Sequence, residues 1–279
     1  MIDRRIRTPG CLLKVYSVNF RRLTRVVAVL LLLSGAVLTG YYASEIRVAR
    51  SETPKILALA WQTHGKRISL RDLPLQRLQW LLAIEDPAFF EHHGVDLYTP
   101  GAGMTTISQG LVKLLYFPDG FQKGIAKIRQ TLIARYAFDT LVSKEEQLAL
   151  LLNTAYLGQV NGAAIYGFSA AAETYFHRNF AALSDGEFKS LVAMLAAPDR
   201  FVPGSSALLE RTARINAYLS GAYQPASVLD TEYDGKTKGS LGEESFMAML
   251  RLITDAKPQI QANSAVGHSQ PVIPSGPSH

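Results

Sequence analysis

Leu75-Gln76-Arg77-Leu78-Gln79-Trp80-Leu81-Leu82-Ala83-Ile84-Glu85-Asp86-Pro87 is the stretch that decides how this chain folds. Leu75, Leu78, Leu82 and Glu85 follow one another at spacings of three, four and three, which puts them on one face of a helix. Such an apolar stripe faces a helical core, yet this one ends on a carboxylate. An acid on an apolar face loses solvation when it ionises, so its pKa rises towards the range useful for proton transfer. Glu85 therefore either lines a cleft cut into the core or caps the helix end and turns to solvent near Pro87.

Helical periodicity recurs at Thr106–Tyr116, Ile125–Phe138, Lys144–Asn153, Gly167–Phe176 and Asp185–Ala196, while strand-like alternation is nearly absent. The pattern predicts a mostly α domain over residues 67–220. Ser143 with Glu146, and Ser184 with Glu187, have the spacing of capping boxes. Residues 94–103 hold several glycines and Pro100, which predicts a loop able to admit a long substrate. Residues 221–257 form a C-terminal extension with one candidate helix over Glu243–Ala256. The tail, 258–279, is rich in Ser, Pro, Gln and Gly and is expected to be disordered.

The net charge of +6 is not spread over the chain. Arg4, Arg5, Arg7, Lys14, Arg21, Arg22 and Arg25 face only Asp3 in the first 43 residues, and the remainder carries equal numbers of acids and bases. The basic balance therefore reports an N-terminal flank and says nothing for a nucleic-acid surface, so no nucleic-acid partner is expected. It precedes an uncharged stretch, residues 26–43. About 18 to 20 helical residues just span a hydrocarbon core of ~30 Å. Residues 1–25 are thus expected in the cytoplasm, 26–43 as a single-pass inner-membrane anchor, and 44–66 as a stalk carrying the domain outside. A cleavable signal peptide is the rival reading, against which stand the long basic region and the length of the apolar run. Cys11 is the single cysteine and falls on the cytoplasmic side, so the exported part has no thiol.

Thr105, Gln109 and Lys113 draw a polar line along the second helix, opposite Ile107, Leu111, Leu114 and Leu115. Thr105 or Thr106 can cap the helix start, where free N–H groups favour an anion. An ordinary exposed helix face has the same appearance. Leu114–Phe117 and Phe121 form an apolar cluster suited to the bilayer or to a core. His92 and His93 are adjacent, with no HExxH or CxxC spacing nearby, which excludes a zinc site. No G-x-S-x-G elbow, phosphate loop, dinucleotide fingerprint or transpeptidase signature is present.

Taken together these segments resemble the family 51 glycosyltransferases, the peptidoglycan polymerases. Glu85, Asp86, Phe89, His92 and Gly94 match the first family motif, Glu-Asp-x-x-Phe-x-x-His-x-Gly. Gly103, Thr105, Thr106, Ile107, Ser108, Gln109 and Lys113 match the second loosely. Asn153-Thr154-Ala155-Tyr156-Leu157-Gly158, Tyr166-Gly167, Ala171-Ala172, Tyr175-Phe176, Leu183, Glu187, Leu195 and Pro198 continue the match in order over about 120 residues. The resemblance implies a lysozyme-like helical domain beside the membrane that polymerises lipid II into a glycan strand. It implies that Glu85 is the general base on the acceptor's 4-hydroxyl, and that undecaprenyl pyrophosphate leaves with inversion. Asp86, His92, Thr105, Thr106, Gln109, Lys113 and Asn153 are implied to contact substrate.

The chain departs from the family at the third motif, Arg-Lys-x-x-Glu. Counting back from Ser143 puts Lys127 and Ile128 at its basic pair and Thr131 at the glutamate, whereas counting forward from Lys113 puts Arg129 there. A missing carboxylate costs on the order of 10² to 10⁴ in rate if it moved protons or placed charge. Arg129 and Lys123 are expected to compensate by meeting the pyrophosphate directly. The alternative is a catalytically impaired relative that binds lipid II or glycan and regulates cell-wall synthesis proteins; a lysozyme-like hydrolase is a weaker third reading. No dedicated metal site is legible, and any metal would be a hard cation such as Mg²⁺ at the pyrophosphate.

Overall fold

The computed structural model describes residues 20–118, 120–121 and 124–258. Lys123, Cys11, most of the basic flank and nearly all of the expected disordered tail lie outside the described residues. The chain divides between Ala43 and Ser44 into two compact units. One helix, α1 (Phe20–His64), runs through that boundary. In the first unit its apolar side chains are exposed, and among the described residues α1 alone is long and apolar enough to cross a membrane.

The second unit is mostly α, as the periodicity predicts. Its elements are α2 (Leu75–Glu85), α3 (Ile107–Tyr116), α4 (Ile125–Ile133), a π-helical segment (Ala134–Phe138) and a short α5 (Asp139–Leu141). There follow α6 (Lys144–Thr154), a hairpin of β1 (Tyr156–Val160) and β2 (Ala163–Tyr166), α7 (Phe168–Phe176), α8 (Asp185–Met194), α9 (Ser206–Leu219) and α10 (Leu241–Thr254).

The part of α1 expected as a stalk takes part in the core. Ala49, Thr53 and Ala60 are buried at spacings that keep one helical face towards the domain. Thr53 Oγ1 lies 2.7 Å from the Tyr116 hydroxyl, Arg50 donates to the carbonyl of Tyr136 at 2.6 Å, and Trp61 Nε1 donates to Glu146 at 3.1 Å. That last bond changes one expected cap. Ser143 Oγ accepts the Glu146 N–H at 3.2 Å, but the Glu146 carboxylate is engaged by Trp61 instead of closing the box. At α8 the box of Ser184 and Glu187 is complete.

Phe89, Phe138, Phe168 and Phe188 are fully buried, each worth roughly 1.5–3 kcal/mol of apolar burial. Arg77 crosses from α2 to the α8 side, donating to the Leu183 carbonyl and lying over the Phe188 ring at 5.4 Å. The hairpin was not expected from the pattern, although its turn is written plainly. Asn161 and Gly162 both have positive φ, 53° and 80°, as a two-residue hairpin turn demands. The extension supplies a helix with a partner: Leu250 of α10 packs on Val95 and Leu97, and Arg251 donates to the Leu97 carbonyl at 2.7 Å.

Candidate active site

The site is assembled where α2 stops and α3 starts. Asp86 caps α2 with its N–H on the Leu82 carbonyl, and its side chain is wholly buried. Asp86 Oδ2 accepts the N–H of Ile107, the first residue of α3, at 2.9 Å, and His92 Nε2 lies 2.9 and 3.0 Å from the two carboxylate oxygens. A carboxylate at a helix N-terminus satisfies free donors and the helix dipole together. Thr106 completes the joint by accepting the Gln109 N–H and donating to the Gly94 carbonyl at 2.8 Å. Gly94 has φ 79°, and a Cβ there would sit 2.5 Å from the Ala134 carbonyl oxygen, so only glycine fits.

Glu85, one residue before this joint, is half-buried, and no described group is hydrogen-bonded or ion-paired to its carboxylate. Burial pushes its pKa up to about 7; the charge of Arg211 opposes the rise and that of Asp86 adds to it. The carboxyl is thus poised to exchange a proton near neutrality.

Beyond the start of α3 lies a cationic pair. Lys127 Nζ donates to Thr105 Oγ1 at 2.9 Å. Its pKa is lowered to about 7, first by burial and then by the charge of Lys113. Lys113 is exposed, with its ammonium 5.5 Å from the Phe121 ring centroid. Lys127 is bonded to the residue before the α3 N-cap while Lys113 stands in the last turn of that helix, and two ammonium groups that repel each other can together seat an anion.

The sequence comparisons bear on this arrangement. Residues 54–221 match the family described as Transglycosylase. The chain belongs to the transglycosylase family. Penicillin-binding protein 1A of Vibrio cholerae is 29% identical over 198 residues, which is 66% of this chain and 23% of that protein. Penicillin-binding protein 1A of Haemophilus influenzae is 31% identical over 184 residues, 61% of this chain and 21% of that protein. The corresponding protein of Escherichia coli is 29% identical over 180 residues, 60% of this chain and 20% of its own length. The chain therefore spans less than a quarter of the relatives named here. Its mostly helical domain is the lysozyme-like fold of transglycosylases.

Within this transglycosylase domain the residues implied to touch substrate fall into two groups. Thr105 and Lys113 are open, and they stand with Lys127. Asp86, His92, Thr106, Gln109 and Asn153 are buried, and the bonds they make are internal. Gln109 Oε1 accepts the Thr106 N–H at 3.0 Å and its Nε2 donates to Thr131 Oγ1 at 2.9 Å. Asn153 Oδ1 accepts the N–H groups of Arg67 and Ile68 at 2.8 and 3.0 Å, and its Nδ2 donates to the Ile68 and Ala149 carbonyls at 2.8 Å each. These five frame the site: their polar side chains bond to protein groups, and His92 Nδ1 is buried with no hydrogen-bond partner among the described residues.

Arg129 is turned elsewhere: its Nε lies 2.5 Å from Glu45, and its guanidinium covers the Phe117 ring at 5.1 Å. The pairing ties the Nε edge of its guanidinium to α1. Thr131, the residue that counting back from Ser143 puts at the third-motif glutamate, is fully buried and accepts from Gln109 Nε2 at 2.9 Å. Asp139, the next acid along the chain, is bonded to Lys144 at 2.7 Å and Gln147 at 3.0 Å. Lys127 was legible only as an aligned basic residue, and Arg211 gave no signal because its importance comes from α9 packing on α2. Among the described residues no group of three His, Cys, Asp or Glu could hold a metal ion.

Proposed function

We propose that this protein is a peptidoglycan glycosyltransferase that polymerises lipid II into glycan strands. The observation that carries the reading is Glu85: a half-buried carboxyl with a pKa of about 7 and no described partner, directly before the α2–α3 joint. Glu85 takes the proton of the acceptor sugar's 4-hydroxyl as that oxygen attacks the anomeric carbon of the donor. The bond to undecaprenyl pyrophosphate breaks on the opposite face, which inverts the centre, and the leaving group departs with its charge held by Lys127, Lys113 and Thr105. Lys127 thereby supplies part of what the missing third-motif acid does not.

The long apolar helix and the basic flank support an inner-membrane protein with its cytoplasmic N-terminus and an exported domain, where a lipid-linked substrate and the nascent strand would be met. Among the described residues no group of three His, Cys, Asp or Glu could hold Mg²⁺, and the steps above use only side chains of this protein. The test is polymerisation of labelled lipid II by the wild type and by Glu85→Gln. The variant is expected to lose at least about 10²-fold in rate, and equal product from both would exclude Glu85 as base.

A second reading rests on Thr131. Thr131, buried and bonded to Gln109, stands where counting back from Ser143 expects the family's second glutamate; on that alignment the protein would bind lipid II without turnover and act on other cell-wall synthesis proteins. Stoichiometric binding of labelled lipid II with no polymer is the outcome that favours it.

A further inference from the structure

Residues 222–258 lie beyond the stretch matched by the family, and part of them packs on the site. The segment between α9 and α10 folds around a buried carboxylate. Asp230 accepts the Tyr223 hydroxyl at 2.8 Å and the N–H groups of Ala226 and Asp234 at 2.8 and 2.9 Å. Burial works against its charge, yet these donors outweigh burial and hold its pKa below the usual carboxylate range. Two backbone bonds fasten the segment to the loop before α3: Gly101 donates to the Ser227 carbonyl at 2.9 Å and Gly103 to that of Val228 at 2.8 Å.

Held in this way, the segment presents two consecutive side chains to α9. Glu232 meets Arg211 at 3.3 Å with one carboxylate oxygen and Arg214 at 3.4 Å with the other. Tyr233 has φ 53°, a left-handed backbone that a bulky residue enters only at a cost, and it stacks on Tyr218 with ring centroids 4.9 Å apart. Strain of this kind persists where the surroundings require a particular placement. Arg211 is itself buried and anchored by its Nε on the Ala193 carbonyl at 3.0 Å. Its α9 packs against α2, and its charge reaches Glu85.

A guanidinium with no other partner would pair with the nearest carboxylate and make it a weak base. Glu232 gives Arg211 that other partner.

We propose that Glu232 is a positioning residue for Glu85: by holding Arg211 on the C-terminal segment it leaves the base unpaired and open to a sugar hydroxyl. This role deepens the proposed function and rests on Glu85 as base. The groups facing Glu85 are Asp86 beside it, Arg211 of α9 and Tyr233 of the segment, with Arg214 acting through Glu232. Because the backbone around Asp230 is pinned, a shorter acid at 232 cannot follow Arg211. Glu232→Asp therefore keeps the charge but loosens the contact, whereas Glu232→Gln removes the charge.

The experiment is carbon-13 NMR titration of Glu side-chain carboxyls in the full-length protein in detergent, with the Glu85 signal assigned by its loss in Glu85→Gln. Glu232→Gln is expected to lower the Glu85 midpoint by about one pH unit, the scale of one unit charge acting through a partly buried site. Glu232→Asp is expected to lower it part of the way. The acid limb of lipid II polymerisation should move in the same direction in both variants. An unmoved midpoint in Glu232→Gln overturns the proposal, and so does a wild-type midpoint in Glu232→Asp beside a shifted one in Glu232→Gln, which would mean bare charge at a distance. If the wild type makes no polymer, the functional reading fails while the titration still decides the role of Glu232.

Discussion

Asp86 Oδ2 accepts the backbone N–H of Ile107 at 2.9 Å, so the residue next to the candidate base also fixes the first turn of α3. The base and the start of the anion seat are thereby two ends of one short, buried connection. Removing the carboxylate strands His92 Nε2 and the Ile107 N–H without a partner. Each such loss costs about 1–3 kcal/mol. Asp86→Ala is expected to lower stability by roughly 3 kcal/mol, read as a fall in the urea midpoint. A shift worth less than about 1 kcal/mol would mean that the joint is held by something else.

Glu85 should make the protein less stable as pH rises. Its folded pKa of about 7 lies above the unfolded value near 4.3. The native state therefore binds the proton more tightly than the unfolded chain, and stability is lost as pH climbs through that window. At pH 8 the cost reaches about 4 kcal/mol at most, and at pH 4 it falls to roughly a few tenths of a kcal/mol or less. Glu85→Gln is expected to be more stable than the wild type at pH 8 and nearly equal to it at pH 4. Thermal or urea unfolding at the two pH values checks this, and the same difference at both would contradict it.

Lys127 adds an alkaline limb. Below about pH 7 Glu85 is protonated and cannot accept a proton, and above about pH 7 free Lys127 loses its charge. A narrow bell near neutrality is expected in kcat/KM for lipid II. In kcat the alkaline limb should recede, because a bound pyrophosphate favours the ammonium form. Initial rates over roughly pH 5.5 to 9 distinguish the two. A flat kcat/KM above pH 8 would remove the Lys127 charge from the mechanism.

Local periodicity carried much of the architecture. Leu75, Leu78 and Leu82 announced α2, and Ser184 with Glu187 announced the start of α8, because these signals are made within a few residues of chain. Asn161-Gly162 announced the hairpin as clearly, but the short strands around it do not alternate in burial, so their pattern was silent. The small residues Ala49, Thr53 and Ala60 hid a packing face that hydrophobicity does not reveal. Nothing local reports the segment around Asp230, whose order comes from converging hydrogen bonds rather than from apolar spacing. At the site, the positions of Glu85 and Lys113 could be read from the sequence. Arg211 and Glu232 could not, since their relation to Glu85 passes through tertiary packing.

The wide turn at Ala134–Phe138 sets a rotational phase. Each residue added to or removed from a helix swings the rest of that helix by about 100° around the axis. Upstream of the turn stands Lys127; downstream, Asp139 reaches Lys144 and Gln147, and in between the Ala134 carbonyl lies beneath Gly94. Shortening the turn by one residue would regularise the helix yet swing Asp139 off both partners and withdraw the surface on which Gly94 rests. Chain length between Lys127 and Lys144 is consequently constrained by geometry even where residue identity is not, and insertions or deletions there would be far less tolerable than substitutions.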